Sequence, residues 1–207
     1  MDNLSMLTDL YEFSMANGYR QTIDDEEGVF DIFFRKVPDN GSFVICAGLQ
    51  QVVESLKDFH FSKRDVDYLR SLHLFKENFL EYLSNFHFQC QVSAIPEGTP
   101  VFPREPLLTI RGPLLQTQLF ETLLLNIMNH QSLIATKARR ITFAAGDKPV
   151  MEFGARRAQG PAVPLLVPGQ LLLAVVQVLP TFYQRKSLVF RQPEQWLMLG
   201  LRRFQMN

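Results

Sequence analysis

"VFDIFFRKVPDNGSFVICAGL" (residues 29–49) alternates, turns and then changes period. Phe30, Ile32 and Phe34 fall on one face of an extended chain, so 29–37 reads as a strand. Pro38-Asp39-Asn40-Gly41 follows as a turn, in which proline presets φ and Asn-Gly tolerates positive φ. Residues 42–59 then take up the apolar spacing of a helix. A strand passed through a short turn to a helix predicts a mixed α/β chain.

Toward the N-terminus, "LTDLYEFSMANGYR" (7–20) reads as an amphipathic helix. Asp9 with Glu12 three residues on predicts a capping box, and Gly18 a C-terminal cap. Toward the C-terminus, Ser62 with Asp65 predicts a second capping box, stapled by Phe61 and Val66. Residues 91–111 are rich in Pro and Gly and hold short β-like pieces. Pro113 suits the first turn of a helix, and 114–146 predicts two helices broken near Asn129. "KPVMEFG" (148–154) predicts a strand running into a Gly-Ala-Arg-Arg turn.

The bulk composition excludes several classes. Twenty-one basic residues balance 21 acidic ones over 207 residues, which leaves no electrostatic footprint for nucleic acid or an anionic membrane surface. Cys46 and Cys90 have no metal-site or disulfide spacing, which fits a reducing cytoplasm. "MDNLSMLTDL" carries acids and no basic n-region, so no secretory signal is expected. Eighteen Phe residues predict a well-filled core.

His60, His73, His87 and His130 share no ligand spacing and are expected at the surface or packed in the core. The acidic run 24–27 is expected in a solvated loop, and no phosphate-cradling glycine loop occurs. Arg35-Lys36 at a strand end could present cations to a phosphate, or be an ordinary charged terminus. "GARRAQGP" (154–161) sets two arginines just after a predicted strand, where ligand crevices of α/β sheets open.

Four segments together resemble the nicotinate phosphoribosyltransferase family: "MLTDLYEFSMANGY" (6–19), "FFRKVPDNGSFVICAGL" (33–49), "IPEGTPVFPREPLLTIRGPLLQTQLFET" (95–122) and "EFGARRAQGP" (152–161). The resemblance covers residues 6–161 in the family's order. It implies an α+β N-terminal region (1–128) against the beginning of an irregular α/β barrel (129–161). It implies that nicotinate and phosphoribosyl pyrophosphate give nicotinate mononucleotide, with coupled ATP hydrolysis and Mg2+. It further implies a cytoplasmic homodimer whose sites borrow residues across the interface. Tyr11 resembles the aromatic stacked on the nicotinate ring from the neighbouring subunit, and Phe153 the opposite ring face. Arg156, with Arg157, resembles the cation at the nicotinate carboxylate or ribose phosphate. Arg35 resembles a phosphate contact donated by the second subunit. No catalytic residue and no metal ligand is assigned.

From Ala162 to Gln184 the chain has no Asp, Glu, Lys, Arg or His. Pro164, Pro168, Gln170, Gln177 and Pro180 interrupt this run, whose longest unbroken piece, "LLLAVVQVL", is too short for a spanning helix of about 20 residues. The family's continuation, absent in the visible frame, is readable two bases along. There each hidden codon takes its last two bases from the first two of a visible codon. "VVQVLPTFYQRKSLVFRQPEQ" (175–195) back-translates so that this frame spells CTSTSNVLSAKEFGIPATGT. Flanking stretches can encode GARAA, IGG and AHAWVQ, the last carrying the family's phosphorylated histidine. At the junction, CCG GAC GGT GCC without its A becomes CCG GCG GTG CC, which reads as Pro161 to Pro164. Residues 162–207 are therefore expected to be an out-of-frame tail without native structure. Either the locus encodes a working enzyme through a corrected frame, or the product is an inactive truncated fragment, at most a pairing partner for an intact subunit. Reading 1–161 as an interaction domain with an unstructured tail would make all four motifs coincidental.

Overall fold

A computed structural model describes residues 3–23, 26–150 and 157. The order is α1 (Leu10–Thr22), β1 (Glu27–Phe33), a 3-10 turn (Pro38–Asn40), β2 (Val44–Ile45), α2 (Leu49–Lys57), α3 (Lys63–Ser71) and α4 (Glu77–Ser84). Then come β3 (Gln91–Ala94), β4 (Pro100–Val101), β5 (Pro106–Pro113), α5 (Leu114–Leu119) and α6 (Glu121–Ala145). The mixed α/β class is the one expected.

β5 is the centre of a three-stranded antiparallel sheet, flanked by β1 and β3, while β2 pairs antiparallel with β4. Phe30 and Ile32 turn inward from β1 as their alternation requires, with Phe34 packing beside them just past its end. Gly112 permits the crossing of β5 over β3's approach, since a Cβ there would lie 2.8 Å from the Cys90 Sγ and 2.9 Å from its Cα.

The core is a ring cluster under α5 and α6. Phe59, Phe61, Phe86 and Phe120 meet edge-on or tilted at centroid separations of 4.7–6.0 Å. Phe13 of α1 joins through Phe61 and Phe75, tying the N-terminal helix to the same core. The Ser62 capping box forms as expected: Ser62 Oγ accepts from Asp65 N at 3.2 Å and Asp65 Oδ2 accepts from Ser62 N at 2.8 Å. Phe61 and Val66 flank it, both buried. Ser62→Ala is expected to cost about 1 kcal/mol in a urea melt. An unchanged midpoint would show that the cap contributes nothing.

Five expectations are corrected. Asp9 caps α1 without a side-chain bond, and the Glu12 side chain accepts from the Thr8 and Thr122 hydroxyls instead of returning to the Asp9 backbone. Gly18 lies inside α1, which continues to Thr22. In the 38–41 turn the positive φ values fall on Asp39 and Asn40, at 56° and 53°, while Gly41 is at −72°. Residues 42–59 begin with the short strand β2 before α2, because β4 offers Val44 and Ile45 a ladder. The break in the 114–146 segment is at Phe120, and α6 runs unbroken through Asn129; Pro113 sits at the N-cap of α5. The strand predicted for 148–154 lies largely outside the described residues.

α6 also serves backbone donors in and just after β2. Ile45 N donates to Thr136 Oγ1 at 2.8 Å, and Ala47 N to Ser132 Oγ at 3.0 Å. These hydroxyls satisfy backbone donors that would otherwise be buried unpaired. Gly48, at φ 108°, then turns the chain against Ile127 and Gln131 into α2. Glu97 completes that turn, its Oε1 accepting from Gly48 N at 2.6 Å.

Candidate functional site

A cleft of about 430 Å³ opens where the end of β1 meets α6. Ile32, Phe33, Phe34 and Leu107 form its sheet wall, and Thr122, Leu125, Asn126 and Asn129 the helix wall. It is an apolar trough with two amides and one hydroxyl along one side, suited to a flat ring carrying a few polar atoms.

Glu12 stands behind Thr122. It is fully buried, accepting from the Thr122 hydroxyl at 2.7 Å and from the Thr8 hydroxyl. Burial pushes its carboxyl above the usual glutamate range, against the lowering pull of those hydroxyls. Tyr11 precedes it with 48% of its surface exposed, and its phenol points at Glu12 Oε1 across 3.4 Å. That phenol is pushed up by desolvation, then by the negative charges of Glu121 and Glu12. Leu7, Leu10, Tyr11 and Met15 form an exposed apolar stripe along this side of α1.

Arg35 and Lys36 follow Phe34 in an exposed bend just beyond β1. Among the described residues neither has an ion pair. The bend is held from both sides. Arg104 N donates to Phe34 O at 2.7 Å, and Arg140 reaches Pro38 O at 3.2 Å and Asp39 at 3.5 Å. Arg35 is thus exposed in a held bend, one residue past Phe34 of the cleft.

Of the residues singled out from sequence, neither Tyr11 nor Arg35 lines the cleft; Tyr11 is linked to it through Glu12 and Thr122, and Arg35 follows Phe34 in the chain. Phe153 and Arg156 lie outside the described residues, and Arg157 is exposed. Glu12, Thr122, Asn126 and Asn129 were not singled out for this role. Glu12 could have been: its i, i+4 spacing to Ala16 places it on the stripe of α1 that also buries Phe13.

A second, polar cleft of about 560 Å³ lies between Arg20, Tyr82 and Arg111. The Arg20 guanidinium sits 5.1 Å over the Tyr82 ring, and Arg111 pairs with Glu27 at 2.6 Å. Glu26 also lines it, so its charges balance and favour no ion.

His60, His73 and His87 are exposed, and among the described residues no three His, Cys, Asp or Glu side chains gather as a metal would need. The described residues thus provide no cage for the Mg2+ expected above. Among them no helix is long and apolar enough to cross a membrane. Cys46 and Cys90 are buried and their thiols pushed up to about 12 by desolvation. Both are expected to resist iodoacetamide at pH 8 in the native chain and to react on unfolding. Rapid native labelling would contradict their burial.

The profile described as nicotinate phosphoribosyltransferase (NAPRTase) N-terminal domain matches residues 6–129. A nicotinate phosphoribosyltransferase of Mycobacterium tuberculosis is 45% identical over 156 residues, covering 75% of this chain and 34% of that protein. The Bacillus subtilis enzyme of that name is 42% identical over 158 residues, covering 76% of this chain and 32% of its own. The crystal structure of human nicotinic acid phosphoribosyltransferase superposes with a TM-score of 0.80 at 37% identity, over 87% of this chain and 37% of the human one. Nicotinate-nucleotide pyrophosphorylase from Pyrococcus furiosus shares the fold, with a TM-score of 0.71 at 22% identity over 97% of this chain and 46% of that one. The chain thus spans about a third of the length of the curated relatives it matches.

Proposed function

The chain belongs to the nicotinate phosphoribosyltransferase family, and from that premise we propose that it derives from an enzyme joining nicotinate to phosphoribosyl pyrophosphate. The observation that carries the proposal is the family match through residues 6–129, the same residues that build the cleft and its rim.

In this reading Tyr11 stacks on the pyridine ring, an electron-poor system that favours contact with π faces. Phe153 takes the opposite face, and Arg156 or Arg157 the carboxylate. The ring nitrogen bonds to C1 of the ribose as the C1–O bond breaks and pyrophosphate leaves with the electron pair. Positive charge builds on the sugar and negative charge on the leaving group. Arg35 contributes by holding a phosphate in place as that charge develops. Mg2+ and ATP enter with the substrates, and no step is assigned to a residue through them. The exposed stripe of Leu7, Leu10, Tyr11 and Met15 supports pairing with a second copy, which would bring Tyr11 and Arg35 into the neighbour's site. A cytoplasmic setting fits the two unpaired thiols.

A second reading has its own support. The similarity to the M. tuberculosis protein extends over 156 residues, 75% of this chain, and leaves the remainder unmatched. An out-of-frame tail from Ala162 accounts for that limit and would leave an inactive fragment. Formation of nicotinate mononucleotide from nicotinate, phosphoribosyl pyrophosphate and ATP-Mg2+ tests both readings. Activity lost in Arg35→Ala supports the enzyme, inactivity of this chain alone supports the fragment, and inactivity in every reading frame removes the first proposal.

A further inference from the structure

We infer that Glu12 is a positioning residue, which sets the ring of Tyr11 by anchoring the first turn of α1 to Thr122 on the cleft wall. The inference rests on the reading of Tyr11 as the residue that stacks on nicotinate.

A carboxylate in the first turn of a helix would ordinarily return to the N-cap backbone or face water. Glu12 does neither. It is fully buried and held by hydroxyls from two places, Thr8 just before α1 and Thr122 at the start of α6. Burying a carboxylate is costly and is tolerated only where hydrogen bonds compensate, so the geometry of this group is fixed by its partners. Tyr11 is the adjacent residue. Its backbone is set by that anchor, and its phenol leans on Glu12 Oε1 at 3.4 Å, too long for a strong bond to hold the ring alone. The ring itself stays exposed. Thr122 also lines the cleft beside Leu125, Asn126 and Asn129. A continuous contact therefore runs from the cleft wall through Thr122 and Glu12 to Tyr11. An apolar residue at position 12 could fill the same space, and would do so without fixing the direction of the ring.

Tyrosine carrying 13C in the ring, introduced into the full 207-residue chain and assigned with Tyr11→Phe, reads the position of the ring directly. Glu12→Gln is expected to shift the Tyr11 signals and lower the pH at which its phenol ionises, because a negative neighbour and acceptor is lost; the charges of Glu121 and Asp9 remain. Thr122→Val should shift the same signals while leaving residue 12 intact, and Thr122→Ser should restore them. Unchanged Tyr11 signals in both Glu12→Gln and Thr122→Val, with only a lowered melting temperature, would overturn the inference and leave Glu12 a packing residue. Nicotinate titrated into these samples and into the frame-restored chain separates the two readings. Tyr11 signals that move with Glu12→Gln but ignore nicotinate in the frame-restored chain uphold the positioning and remove the stacking alone.

Discussion

Inserting one adenine after the first base of the Ala162 codon is expected to raise nicotinate mononucleotide synthesis more than about 10³-fold over that of the 207-residue chain. Removing a single preorganised contact to developing charge costs about 10²–10³ in kcat. The visible chain from Ala162 onward offers none of the residues that the family resemblance assigns to phosphoribosyl pyrophosphate, nor its phosphorylated histidine. Several such contacts are therefore missing together, so the loss is at least that of the most important one. Residues 1–161, with Tyr11 and Arg35, are the same in either product, so the gain reports on the downstream residues. Equal activity from the two products would contradict the account, since residues 1–161 and an unrelated tail would then suffice. The assay is product formation from the same three substrates at matched protein concentration.

Phe120→Ala is expected to destabilise the chain by about 3–5 kcal/mol, the range for deleting a large ring from a packed core. Phe120 has no exposed surface and joins α5 to α6, with its ring 4.7 Å from Phe59, 5.3 Å from Phe88 and 6.0 Å from Phe86 by centroid. Three rings on two segments, Phe59 after α2 and Phe86 and Phe88 between α4 and β3, lose a common neighbour, and a backbone tied into two helices has little freedom to close the gap. Tyr68→Ala, at a ring 56% exposed on α3, should stay within about 0.5 kcal/mol. Urea melts of the two variants decide the point. A loss below about 1 kcal/mol at Phe120 would mean that the ring cluster is not the core that joins these helices.

Local chemistry was legible where it needed no distant partner. Ser62 and Asp65 form their box because both halves lie within one turn, and Phe30 and Ile32 face inward because a strand alternates. Asp9 and Glu12 have the same spacing and fail to form a box. The decisive partner there is Thr122, 110 residues away, which no local pattern reveals. For the same reason β2 looked helical: its backbone is satisfied by β4 and by Thr136 of α6, and Ala47 just after it by Ser132. The helix break falls at Phe120 because its ring belongs to the core beside Phe59, whereas Asn129 continues α6 on the cleft side. In the candidate site, Tyr11 and Arg35 were singled out through family resemblance. Glu12 fits two patterns, capping by its spacing to Asp9 and burial by its spacing to Ala16, and the local sequence does not choose between them. Thr122, Asn126 and Asn129 gained meaning only when α6 was set against the end of β1.

The nucleotide sequence of the gene across the codons for Gly160 to Asn207 tests the account most directly. The account predicts that the frame two bases along from Val175 to Gln195 reads CTSTSNVLSAKEFGIPATGT, preceded by GARAA and IGG and followed by AHAWVQ. A frame there that holds stop codons or unrelated residues would contradict it, and residues 162–207 would then be the protein's own sequence.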